Sequence, residues 1–149
     1  MAFCAPEAIP LRLLLQPRPG LARQLGQEAG PLLADQLTAK DAIAALRRYS
    51  LISLADGLVS VHRLVQAVTV DQMSGELAAQ WWKAAAAVIE AALPEDPGDP
   101  ETWPVYALLL PHARAVLPAG SAGISLIADY LGHAGSLRGP SLRRVKPTE

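Results

Sequence analysis

Apolar and polar residues follow two different periods along this chain, and the switch between them falls within residues 38–73. Ile43, Leu46 and Tyr49 recur at helical spacing while Lys40, Arg47 and Arg48 point elsewhere, which predicts a helix with one apolar face. Thr38 followed by Asp41 is a capping-box pattern for the start of that helix. Two short apolar runs come next, residues 51–54 and 58–61. They flank Asp56-Gly57, a pair that tolerates positive φ and closes tight hairpins. Leu64, Val65 and Val68 then start a second helical stripe. Helix, hairpin, helix predicts a winged-helix unit whose last helix opens on His62.

On the N-terminal side, Pro10 suits the first position of a helix carrying Leu11, Leu14 and Leu15, ended by Pro17 and Pro19. Residues 20–30 are looser and polar, with room for one helical turn, and residues 31–37 supply a second short helix. The winged-helix domain is thereby expected over residues 1–75.

Ser74-Gly75 breaks the pattern before a strong helix over residues 76–93. Leu77, Trp81, Ala84, Val88 and Ala91 form one stripe, and Trp82, Ala86, Ile89 and Leu93 a second beside it. Apolar over most of its girth, this helix should pack on two sides, with Trp81 and Trp82 buried. An acidic, proline-rich loop follows, in which Asp99 can cap a helix with Pro100 at its first position. Trp103, Tyr106, Leu109, Leu110 and Ala113 form the inner side of that helix, and Pro111 should kink it near Ala107. Ser121 can cap a last helix carrying Ile124, Ile127, Tyr130 and Leu131. Residues 136–149 carry Arg138, Arg143, Arg144 and Lys146 with almost no apolar face, and read as a disordered basic tail. The expected fold is mostly α: a winged-helix unit with one hairpin, then a helical linker over residues 76–135.

With 51% hydrophobic residues in 149, the chain can bury one good core or two small ones. A net charge of -1 gives no whole-chain attraction to nucleic acid or anionic membrane. The single Cys4 excludes an internal disulfide and fits a reducing compartment. Lys83, Glu90, Pro111, His112 and Arg114 interrupt the best candidates for a membrane span. Pro6, Glu7 and Pro10 stand where a signal peptide would need a basic start and an apolar run, so a cytoplasmic location is expected.

The phrase Val61-His62-Arg63-Leu64-Val65 resembles the histidine motif in the winged helix of STAND-type NTPases, the NB-ARC class. Two further phrases are similar to bacterial NB-ARC proteins with tetratricopeptide repeats. One is Phe3-Cys4-Ala5-Pro6-Glu7-Ala8-Ile9-Pro10; the other is Trp103-Pro104 followed by Leu109-Leu110-Pro111-His112-Ala113. The resemblance runs from about Phe3 to Gly135. It implies that His62 reaches the β-phosphate of ADP bound by an ATPase domain of the same protein. Arg63 departs from the pattern, which commonly has an aspartate there. The last helix resembles the first half of a tetratricopeptide repeat, and its partner helix does not follow. The chain therefore reads as a fragment lying between an ATPase domain and a repeat array.

No GxxxxGK[ST], GxGxxG or Gly-x-Ser-x-Gly occurs, and no paired carboxylates sit beside an obvious base, so no enzyme and no catalytic residue are expected. Cys4, His112 and His133 lack neighbouring partners at ligand spacing, so no metal site is expected either. His112 reads as a packing residue. At a helix N-terminus, His62 could meet an anion or merely cap the hairpin-to-helix corner. The functional expectation is a non-catalytic regulatory and interaction module of a signalling NTPase. It needs no cofactor by itself; ADP or ATP is implied for the intact protein, and the ATPase domain and the repeats are its expected partners. The alternative is a winged-helix DNA-binding transcriptional regulator. For that role Lys40, Arg47 and Arg48 are opposed by Asp41, and the wing carries no basic residue to meet phosphate.

Overall fold

A computed structural model describes residues 1–24, 30–32 and 34–136. The fold is mostly α-helical with one β-hairpin. In order, it runs through β1 (Ile9–Pro10), α1 (Leu11–Leu15), α2 (Pro19–Gln24), α3 (Gln36–Arg48), β2 (Ile52–Ala55), β3 (Leu58–Val61), α4 (Arg63–Asp71), α5 (Gly75–Ala92), a 3-10 turn (Pro100–Thr102), α6 (Trp103–Val116) and α7 (Ala122–Ser136).

The hairpin forms where the turn chemistry demands it. Asp56 and Gly57 both take positive φ, 52° and 73°, as a tight two-residue hairpin turn requires, and the flanking Ala55 pairs with Leu58. A third strand was not legible in the sequence. β1 pairs antiparallel with β3, Ile9 opposite Val59, and the sheet order is β1-β3-β2. Two residues give no periodicity to read, and Pro10 at a sheet edge loses no ladder bond that matters. Leu11 N–H donates to Gly57 O at 2.8 Å and Val61 N–H to Pro6 O at 2.7 Å, extending the pairing beyond the strand itself. Pro10 thus closes β1 and occupies the cap of α1, one residue before the expected helical position.

α3 starts earlier than the Thr38–Asp41 pattern indicates. Asp35 is its cap, accepting from both the Thr38 N–H at 2.8 Å and the Thr38 hydroxyl at 2.7 Å. Those bonds hold the Asp35 carboxyl below its usual range. Gln36 and Leu37 therefore belong to α3, which shortens the helix expected over residues 31–37; residues 30–32 and 34 are helical. Residues 25–29, 33 and 137–149, which include most of the expected basic tail, lie outside the described residues. Ser136, assigned to the tail from sequence, is the last residue of α7.

Two clusters of buried residues organise the packing. The larger joins Ala86, Ile89 and Leu93 of the α5 region to Tyr106, Leu109, Ala113 and Val116 of α6 and Ile127 of α7, with Leu13 reaching in from α1. The smaller joins Ile9, Ile43, Ile52, Val59 and Val61 under the wing. Cys4 packs against both. Tyr106 stacks on Tyr130 with ring centroids 4.9 Å apart, and its hydroxyl donates to Pro94 O at 2.6 Å. Glu90 accepts from Gly123 N–H at 2.7 Å, which places a carboxylate at the start of α7. A side chain at Gly123 would meet Leu117, Glu90 and Leu93, so α5 and α7 approach closely there.

Several side chains differ from their expected burial. Trp81 and Trp82 are half-buried, because Ala84, Ala86 and Ile89 carry the contact of α5 instead. Tyr49 ends α3 and is 69% exposed, with the Arg48 guanidinium over its ring. Leu64 and Val68 lie on the outer side of α4, 66% and 46% exposed, since no described element covers them. Leu131 is likewise exposed at 40%. Pro111 sits inside α6, which runs unbroken from Trp103 to Val116.

Candidate functional site

His62 lies between the wing and α4. β3 ends at Val61, and backbone φ and ψ of -64° and 132° at His62 turn the chain out of the strand and into the helix. Its Nδ1 accepts a hydrogen bond from Leu64 N–H at 3.2 Å, so the imidazole takes the place of the usual Asp or Ser cap. This fixes the proton inventory of the ring. An Nδ1 that accepts is unprotonated, so the neutral ring carries its proton on Nε2. The residue is exposed, and no described group engages that Nε2–H.

The same corner forms one wall of an open groove of about 640 Å³. Arg47, from the last turn of α3, lines it together with His62, Glu7 and the hydroxyl residues Ser50, Ser53 and Ser60. Topology explains the meeting. α3 ends beside the first strand of the hairpin, and the second strand returns the chain past it to His62. Arg47 was legible as a polar-face residue of α3, but its neighbourhood with His62 was not, because they belong to different elements. Two cationic or donor side chains and several hydroxyls can take an anionic oxygen here, with the Glu7 carboxylate on the same groove opposing one. Arg63 is exposed in the first turn of α4.

A second concavity, about 320 Å³, lies between α3, α4 and α5 and is almost wholly apolar, with Ile43, Leu46, Val65, Trp81 and Val88 among its walls. Its polar wall residues are already engaged. Gln66 Nε2 donates to Met1 O and Cys4 O at 3.0 Å each, and the Thr69 hydroxyl donates to Val65 O at 2.6 Å. It offers dispersion contacts without directional recognition. Burial pushes the Cys4 thiol up, away from the reactive thiolate.

The remaining candidates are separate. His112 is fully buried in α6, and its Nε2 lies 3.1 Å from Ala8 O. His133 is in the last turn of α7. Among the described residues no three His, Cys, Asp or Glu side chains converge where a metal ion could sit. No described helix is long and apolar enough to cross a membrane.

The first 62 residues thus close a three-stranded sheet against helices and finish on an exposed capping histidine, and α4 completes the unit. That unit is matched by the family model described as "Domain of unknown function (DUF7779)" over residues 1–77, from the N-terminal segment to the first turn of α5. The chain belongs to this family. No curated protein and no solved structure matches it.

Proposed function

We propose that this chain is a non-catalytic regulatory and interaction module of a STAND (NB-ARC-type) signalling NTPase. In this reading it works in the cytoplasm between an ATPase domain and a tetratricopeptide-repeat array, and it couples the nucleotide state of the first to the second. The observation that carries the reading is the geometry of His62. One ring nitrogen is used to cap α4, which fixes the ring, and the residue lines an open groove that Arg47 also lines. A fixed, exposed donor on a groove that also carries a guanidinium suits a single phosphate of ADP held mainly by another domain. The chain supplies no phosphate-cradling loop of its own, so ADP affinity by itself should be negligible. Leu64 and Val68 lie exposed on the helix that His62 caps, an apolar surface next to the polar contact that suits a protein neighbour.

The test separates capping from ligand contact. Residues 1–77 are grafted behind an intact NB-ARC ATPase domain, and ADP dissociation is measured for the parent, His62→Ala and His62→Asp. Asp keeps a good helix cap but repels phosphate, whereas Ala loses both roles. A charge-assisted hydrogen bond lost to either change should weaken ADP by about ten- to a hundredfold. The closed state should be lost with it, since a ligand holds a state only through its differential affinity. Unchanged ADP affinity in His62→Asp would reduce the residue to a cap. Tight duplex DNA binding abolished by changing Arg47 and Arg48 would favour the transcriptional-regulator alternative instead.

A further inference from the structure

The buried histidine outside that site has an arrangement that packing alone does not require. His112 is fully buried in α6, and the carbonyl of Ala8 can only accept, so Nε2–H is the donor of their 3.1 Å bond. Nδ1 is then left with a lone pair, buried and without a partner among the described residues. The carbonyl it holds belongs to a residue in an uncommon conformation: Ala8 has φ 58°, left-handed backbone that disfavours any residue with a Cβ. Ala8 leads directly into β1, whereas α6 belongs to the helical layer, so one hydrogen bond spanning 104 residues of sequence joins the wing sheet to the layer.

We propose that the Ala8–His112 bond is an acid-sensitive latch across the seam between the wing sheet and the helical layer. In the neutral ring the bond is satisfied and Nδ1 merely lacks a partner. Adding a proton to Nδ1 leaves the Nε2–H bond to Ala8 in place. It creates a buried charge and a second donor that no described group accepts, so the charged ring is relieved only by leaving the seam for water. Apart from the Ala8 carbonyl, the described groups around the ring offer no relief. Glu7, next to Ala8, is exposed, and Arg114 on the same helix is exposed and positive. Glu90 of α5 is committed to Gly123 N–H, and the Cys4 thiol stays neutral. The charge that acts on the ring is the amino group of Met1, which also disfavours protonation. Burial, the largest influence, outweighs the bond to Ala8, which favours the charged ring, and holds the ring below its ordinary range. A histidine depressed in the folded state contributes stability above its unfolded value of about 6.5, and that stability is lost as pH falls toward the folded value. On release, Ala8 can relax out of the left-handed region, so the backbone favours the open form once the bond is gone. The latch does not depend on nucleotide binding at His62.

Cys4, the one cysteine of the chain, packs against both buried clusters and so reports on the seam. Its modification by an aromatic disulfide that reacts at acid pH is measured on the full chain, relative to a cysteine peptide, from pH 7.5 to 5. Imidazole titration and helical circular dichroism are recorded alongside. The expected result is a fall in Cys4 protection of at least about tenfold, in step with His112 protonation and with the helical signal retained. His112→Gln keeps a donor in reach of Ala8 without a titrating ring, and should make protection independent of pH. Constant protection in the parent, an equal fall in His112→Gln, or a fall that accompanies loss of helix would each overturn the latch. If His112→Gln does not fold, the parent alone decides: a ring that protonates without any change at Cys4 contradicts the proposal.

Discussion

The helical layer and the winged unit draw on similar apolar residues and spend them differently. In the layer, Ile89, Tyr106, Leu109 and Val116 are almost completely shielded, and the aromatic rings of Tyr106 and Tyr130 stack. Three helices of at least fourteen residues can each find a neighbour along their length. Among the described residues of the winged unit only Ile9 and Val59 reach comparable burial, and α4 buries none of its nine residues. The same spacing of Leu and Val that predicts a buried stripe leaves Leu64 and Val68 in solvent, because no described element closes over them. Periodicity identifies a face, and only the presence of a neighbour buries it. The layer is therefore the anchor of this fold, and the winged unit carries its open surfaces.

The largest effect should come from the anchor. Tyr106→Ala removes a fully buried ring that stacks on Tyr130 and should cost about 3–5 kcal/mol in chemical denaturation. Tyr106→Phe keeps the ring but leaves Pro94 O without its donor, a loss of about 1–3 kcal/mol. Trp81 sharpens the comparison. It lines the apolar concavity and is only half-buried, so Trp81→Ala should cost clearly less than Tyr106→Ala, about 1–3 kcal/mol. Equal losses at the two positions would mean that α5 is packed on both sides after all. Ala8→Gly should stabilise the chain by about 0.5–1 kcal/mol, because glycine takes positive φ without a Cβ penalty. The smallest effect is expected on the open face: Leu64→Gln should shift stability by no more than about 0.5 kcal/mol. A loss several times larger would show that this leucine is covered in solution.

What the sequence made legible was local. Asp56-Gly57 located the hairpin because its turn requires positive φ at both positions, and Asp99 and Ser121 were readable as caps for the same kind of reason. Ser74 was readable only as a break, and it proves to cap α5. The mostly helical class followed from the apolar periods. What stayed hidden needed partners distant in the chain. β1 is too short to show a period and exists through Val59 and Leu58. Gln66 clasps Met1 and Cys4 across more than sixty residues, and nothing in its own neighbourhood marks it. At the candidate site, His62 stood out by its position at the strand-to-helix corner. Its cap through Nδ1, which decides which nitrogen remains free, depends on ring orientation, and the placement of Arg47 depends on the whole unit. His112 was readable as a packing residue, but its bond to Ala8 was not.

The contrast between anchor and open unit is tested most directly by residue-resolved hydrogen exchange under native conditions. Amides of Leu109 and Ala113 in α6 lie in the larger core, whereas those of Val68 and Thr69 lie on a helix with no buried residue. The α6 amides should exchange only through near-global opening, and the α4 amides at least about tenfold faster, a gap of about 1.4 kcal/mol or more in opening free energy. Equal protection in α4 and α6 would contradict the account.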